Sequence, residues 1–128
     1  MSVDLLAQAM NTIKLNEREG NPECTVKASK VIREVLRIMQ KYDYIDEFEF
    51  IDDGKSGFFK VKLKGRINNC GVIKPRFPVK KDEWFEWEQK FIPGVGFGIL
   101  IVSTPEGMMS NEEAKKRNIG GRLIAYVY

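Results

Sequence analysis

The stretch from Ile45 to Lys64 constrains the fold most, because its two halves read as partners. In Ile45–Ile51, Glu47 and Glu49 alternate with Phe48 and Phe50, the period of a half-buried strand. Asp52-Asp53-Gly54-Lys55-Ser56-Gly57 follows and is built of turn-forming residues. Phe59, Val61 and Leu63 then alternate with Lys60, Lys62 and Lys64. An acid-faced strand joined by a short turn to a lysine-faced strand pairs favourably as an antiparallel hairpin.

The residues before the hairpin predict helices. Asp4 to about Asn16 places Leu5, Leu6, Ala9, Met10 and Ile13 on one side, and Gly20-Asn21-Pro22 stops the helix. A short strand over Cys24–Lys27 precedes Ser29, an N-cap for a second helix running to about Tyr42. Its core face is Ile32, Val35, Leu36 and Met39. From Gly65 the texture changes: Gly71, Pro75 and Pro78 predict short, bent strands and loops up to Lys81. Asp82–Phe91 has Trp84, Trp87 and Phe91 at helical spacing, and Pro93-Gly94-Val95-Gly96 is a loop. Phe97–Ser103 is nearly all apolar, as in a strand buried on both faces. Thr104–Gly107 turns the chain, Ser110 and Glu113 form a capping box for a short helix through Arg117, and Arg122–Tyr128 closes as a strand after Gly120-Gly121. The expected class is α+β in two small modules. The first is αβαββ over residues 1–65; the second, residues 66–128, is mostly β with short helices and carries the turn at 103–110.

Absences narrow the chemistry. The 128 residues include no histidine, so the usual general base at neutral pH and the commonest transition-metal ligand are both missing. Cys24 and Cys70 stand alone, without the cluster a zinc site needs, and are expected as buried or partly buried free thiols. No catalytic residue, metal, cofactor or small-molecule substrate is expected. A hydrolase using paired carboxylates among Asp46, Glu47, Asp52 and Asp53 needs one buried acid that holds its proton, and these lie around a solvated strand and turn. No apolar run is long enough to span a membrane, and Met1–Leu15 lacks the uninterrupted apolar stretch of a secretion signal, so a cytoplasmic location is expected.

Net charge is only +3, but the charges are segregated. Six acids and no base lie between Tyr42 and Asp53; nine bases and no acid lie between Lys55 and Lys81. Lys60, Lys62 and Lys64 are explained as a solvated strand face answering Glu47 and Glu49. Lys74, Arg76, Lys80 and Lys81 lie beyond the hairpin, in a basic tract able to hold several phosphates. Ser103 and Thr104 offer hydroxyls at a strand end, next to a turn glycine and the capped helix, where they suit sugar and phosphate oxygens. The same residues also read simply as a turn that caps its own helix.

Taken together, these segments resemble the small-subunit ribosomal protein S-eight family, in its archaeal and eukaryotic form. The resemblance runs along essentially the whole chain. It is carried by Asp4-Leu5-Leu6-Ala7, Ala28-Ser29-Lys30, Tyr44-Ile45, the stretch Gly65–Phe77, Gly98–Ser110 with Glu113-Ala114, and Gly120-Gly121. Most specific is the pattern Ser-Thr-x-x-Gly-x-Met-Ser-x-x-Glu-Ala from Ser103 to Ala114, with seven fixed positions in twelve residues. The resemblance implies a structural protein that binds the central domain of small-subunit rRNA directly, early in assembly, beside neighbouring small-subunit proteins. It implies RNA-contact roles for Ser103, Thr104, Gly107 and Ser110, and a backbone-contact role for Ser29 and Lys30. Lys74 and Arg76 are added from the basic tract. Bacterial members usually carry lysine where this chain has Glu106, and a small polar residue in place of Pro105. The alternative is a protein–protein adaptor docking through the acidic patch and Trp84 and Trp87, although Trp84, Phe85 and Trp87 are expected chiefly as core.

Overall fold

The computed structural model describes residues 4–94 and 96–128; Met1, Ser2, Val3 and Val95 of the predicted loop lie outside the described residues. The chain divides into two units between Asn69 and Cys70. The sequence places that division four residues earlier, at 65/66. Glu17 accepts the backbone N–H groups of Gly65 and Ile67, each at 3.1 Å, and so ties this segment to the first helix.

In the first unit, α1 (Leu5–Glu19) starts at Asp4, whose carboxylate accepts the Ala7 N–H at 3.0 Å. It runs past Asn16 because Gly20, in the left-handed region, provides the stop. β1 (Glu23–Lys27) buries Cys24 and Val26, and α2 (Lys30–Lys41) begins at Ser29, whose hydroxyl accepts the Ile32 N–H at 3.2 Å. β2 (Ile45–Ile51) and β3 (Phe58–Leu63) form the hairpin. The antiparallel order is β1-β3-β2, giving the expected αβαββ arrangement. Its core joins Leu6, Ala9, Met10 and Ile13 of α1 and Ile32, Val35, Leu36 and Met39 of α2 to Cys24, Val26, Ile45, Phe59 and Val61 of the sheet. Both cysteines are buried, and neither is in a disulfide.

The hairpin turn is self-supporting. The Asp52 carboxylate accepts the Gly54 N–H, and that of Asp53 accepts those of Lys55 and Gly57, all at 2.9 Å. On the polar face Lys62 meets Glu47 at 4.0 Å as expected, but Lys60 turns to Glu23 on β1, at 3.5 Å, instead of Glu49. Lys64 and Arg66 both bind Asp43, and the Lys64 hydrogen bond, with Arg66 beside it, holds that carboxyl below the usual range. The alternation in β2 is broken by a register shift between Ile45 and Phe48, and Phe50 is 56% exposed, because β2 is an edge strand and Phe50 sits at its hairpin end.

The second unit comprises β4 (Cys70–Val72), β5 (Pro78–Val79), α3 (Trp84–Phe91), β6 (Ile99–Thr104), β7 (Gly107–Ser110), α4 (Asn111–Lys116) and β8 (Gly121–Val127). The antiparallel order is β4-β8-β6-β7, with β5 also on β8. Ile99 to Val102 of β6 are buried without alternation, as their uniform apolarity requires. Leu100, Val102, Met109 and Leu123 share a core with Trp84, Ile92 and Ala114. Phe97 is outside the strand and exposed, since β6 begins only at Ile99.

Of the aromatics expected in the core, Trp84 is 2% exposed and its indole N–H donates to the Ile119 carbonyl at 3.1 Å. Trp87 is partly buried, stacked on Phe77 with ring centroids 4.9 Å apart, and Lys90 lies over its ring. Phe85 departs from the expectation and is exposed, facing away from this cluster. No helix among the described residues is long and apolar enough to cross a membrane.

Candidate nucleic-acid interface

Ser103 and Thr104 end β6, and a two-residue connection, Pro105-Glu106, leads to Gly107 of β7. Gly107–Ser110 is a strand where the sequence reading has a turn: Thr104 pairs with Gly107, Ser103 with Met108 and Ile101 with Ser110. The hairpin is locked from within. The Thr104 hydroxyl donates to the Gly107 carbonyl at 2.7 Å and accepts the Glu106 N–H at 3.1 Å. One lone pair of that oxygen remains, so Thr104 can accept one more hydrogen bond but has no proton left to donate. The Ser103 hydroxyl makes no hydrogen bond among the described residues and is only partly buried, so it is available as both donor and acceptor.

Ser110 takes the capping place that the sequence reading gives it. It is 1% exposed, and its hydroxyl accepts the Glu113 N–H at 3.2 Å, capping α4. Its side chain is thus buried at the base of the hairpin. Glu106 does not stand as a bare negative charge at the tip: Arg117, at the end of α4, holds its carboxylate at 3.0 Å.

One residue that the sequence reading did not single out completes the row. Arg122 of β8 pairs directly with Ser103, and Pro78 of β5 pairs with Arg122. Directly paired residues of an antiparallel ladder have Cβ atoms roughly 5 Å apart on the same face. An exposed guanidinium base therefore rises beside the free hydroxyl. The pairing depends on an extra residue in β8: Ile101 opposes Ala125 while Val102 opposes Leu123, leaving Ile124 without a partner on β6. The preceding Gly120-Gly121 has a steric cause. A Cβ on Gly121 would come 2.5 Å from the Ser103 carbonyl oxygen, and one on Gly120 would come 2.3 Å from that of Val79. Lys80 and Lys81 follow β5 at this same end of the sheet, their backbone against Gly120.

Lys74 and Arg76 lie in the loop between β4 and β5, both exposed, and Arg76 pairs with no acid among the described residues. Ser29 and Lys30 belong to the first unit; the Ser29 hydroxyl is used as the α2 cap and Lys30 is exposed without an acidic partner among the described residues. The acids of the hydrolase alternative, Asp46, Glu47, Asp52 and Asp53, are all exposed. No group of three or more Asp, Glu or Cys residues among the described residues is arranged to hold a metal ion.

A family model described as ribosomal protein S8 matches residues 4–128. The chain belongs to the ribosomal protein S8 family. It is thus a small-subunit ribosomal protein that binds rRNA, in a structural, non-enzymatic family whose members also contact other proteins of the subunit. Within this S8 chain, the Ser103–Ser110 signature is a locked hairpin, and the glycines before Arg122 bring β8 and β5 against its base. Only Arg122 gives no local signal, because its place beside Ser103 is set by strand pairing across the chain.

Proposed function

We propose that this protein holds the central domain of small-subunit rRNA as a static scaffold, supports subunit assembly and translation in the cytoplasm, and is of the archaeal and eukaryotic type. Its second module reads a distorted RNA element through Ser103, Thr104 and the Gly107 backbone. Arg122, Lys74 and Arg76 supply attraction to phosphates, and Ser29 and Lys30 add contacts from the first module. Ser110 acts by holding the hairpin in shape.

The observation that carries this reading is the unpartnered Ser103 hydroxyl beside Arg122, on a hairpin already fixed by Thr104. Duplex RNA hides base edges in a narrow major groove, so recognition falls on 2′-hydroxyls, phosphates and irregular loops. Thr104 suits a 2′-hydroxyl donor, since it can only accept; Ser103 suits a phosphate or a base edge, since it can donate. Arg122 next to it provides a sequence-independent cation. Because the hairpin is pre-formed, binding does not have to order it. Chemical footprinting of small-subunit rRNA with and without the purified chain tests the assignment. Protection confined to the central domain is the expected result; protection elsewhere, or none at low ionic strength, removes it.

The adaptor alternative loses its tryptophans, since Trp84 is core and Trp87 is stacked against Phe77.

A further inference from the structure

Phe50 is the one large aromatic of the first unit's sheet that the fold leaves half in solvent. It is not a loose side chain. Its ring lies over the turn at Gly57: a Cβ there would fall 2.4 Å from the Phe50 ring, and Gly57 has φ +87, so the turn backbone itself makes room for the ring. A second side of the ring is fixed by Phe59, edge-on at 6.0 Å between centroids and 68° between planes. Phe59 is core, so Phe50 is anchored to the rigid part of the unit.

Around it the surface forms an open pocket of about 300 Å³, lined by Ala28, Ser29, Lys30, Arg33, Ser56 and the two phenylalanines. Lys30 and Arg33, one turn apart on α2, are exposed and make no ion pair among the described residues. The acids near Phe50 do not oppose them. Glu47 and Glu49 alternate to the other face of β2, and the Asp52 and Asp53 carboxylates are taken up by N–H groups of the turn. A fixed aromatic face, two unpaired cations and small hydroxyls in one pocket are the parts of a nucleotide site: the face stacks a base whatever its identity, and the cations take its phosphates.

We propose that Phe50, Arg33 and Lys30 form a second RNA subsite, in which an unstacked base of the rRNA lies on the Phe50 ring with its phosphates against the two cations. This rests on the rRNA-binding reading above and adds to it a stacking contact in the first module, separate from the Ser103 hairpin.

The test uses the full-length chain and a transcript of the central domain of small-subunit rRNA, with affinity read by filter binding and contacts read by ultraviolet cross-linking and peptide mapping. Phe50→Leu keeps apolar bulk but removes the ring, and Phe50→Trp enlarges it. Stacking predicts that Phe50→Leu and Phe50→Ala each weaken binding about tenfold, that Phe50→Trp binds at least as well as the original chain, and that the peptide holding Phe50 is cross-linked. Arg33→Ala should lower affinity and make its salt dependence shallower. Equal affinity of Phe50→Leu and the original chain overturns the subsite and leaves the Ser103 interface standing. Loss of affinity in Ser103→Ala with none in the Phe50 variants has the same meaning. Failure of the original chain to bind the transcript removes both the subsite and the function it rests on. If Phe50→Leu changes only the association of another ribosomal protein, the pocket is a protein contact and the proposal falls. Urea unfolding of each variant checks that an exposed position has been altered without loss of the fold.

Discussion

Ser103 and Arg122 face each other directly across the β6–β8 ladder, a free hydroxyl beside an exposed guanidinium. In the proposed interface the pair would divide two tasks that RNA binding needs, close-fitting hydrogen bonds and charge. Separate substitutions should therefore move different observables. Ser103→Ala is expected to weaken binding to a central-domain transcript by about 1–3 kcal/mol, the cost of stranding a buried partner, with the salt slope unchanged. Arg122→Ala is expected to lower affinity and to reduce the slope of log K against log salt by about one contact. A slope that Arg122→Ala leaves untouched rules out a phosphate contact there.

Thr104 holds the hairpin from within through two hydrogen bonds. Thr104→Val keeps the shape and deletes both turn hydrogen bonds, and should cost about 1 kcal/mol of stability along with RNA affinity. Thr104→Ser should restore most of both. Denaturant unfolding and filter binding on the two variants make the comparison; identical behaviour of valine and serine would count against the lock.

Gly120 and Gly121 test the close approach at the base of the site. A methyl group at either position meets backbone oxygen and not a movable side chain, at 2.3 Å and 2.5 Å respectively. Each glycine-to-alanine change should destabilise the chain by about 1–3 kcal/mol, measured as a lowered urea midpoint. Gly121→Ala should also disturb Ser103, so its RNA affinity should fall by more than the fraction unfolded explains.

Cys24 gives a prediction in pH. Burial first, then Glu17 and Glu23 nearby, push its thiol up to about 11 from the ordinary 9.0. The unfolded chain therefore loses this proton before the folded chain does, and stability present below pH 9.0 is lost as pH rises through about 11. The urea midpoint should fall across that window, and Cys24→Ala should make the fall shallower. In the folded chain at neutral pH the thiol should react slowly with alkylating reagents, because the thiolate is the nucleophile. Rapid labelling without unfolding would contradict the burial.

Local chemistry in the chain is legible where a short segment decides its own conformation. The Ser29 and Ser110 caps, the Asp52–Gly57 turn and the uniformly apolar β6 depend on neighbours a few residues away, and all take the expected form. Pairing between distant strands is not written locally. That is why Arg122 was not singled out, and why Gly107–Ser110 reads as turn although it is a strand. Phe50 and Phe97 fail for a related reason: hydrophobicity marks a residue for burial, but position at a sheet edge or before a strand leaves it outside. At the candidate site, Ser103 and Ser110 are alike in residue type, and only the folded structure separates them by burial, Ser110 being 1% exposed and Ser103 only partly buried.

The unpaired Ile124 has a consequence for what insertions and deletions the protein can tolerate. If β8 ran without this bulge, with Ile124 kept and paired in turn, Val102 would face Ile124, Ser103 would face Leu123, and Arg122 would slide alongside Thr104. Leucine would then be turned out to water where a cation is wanted. A single-codon deletion of Ile124 would therefore leave Val102 against Leu123 and Ser103 against Arg122, whereas loss of Val102 from β6 would bring Ser103 opposite Leu123 and cost the recognition surface, making the length of β6 relative to β8 as much a determinant of specificity as its composition.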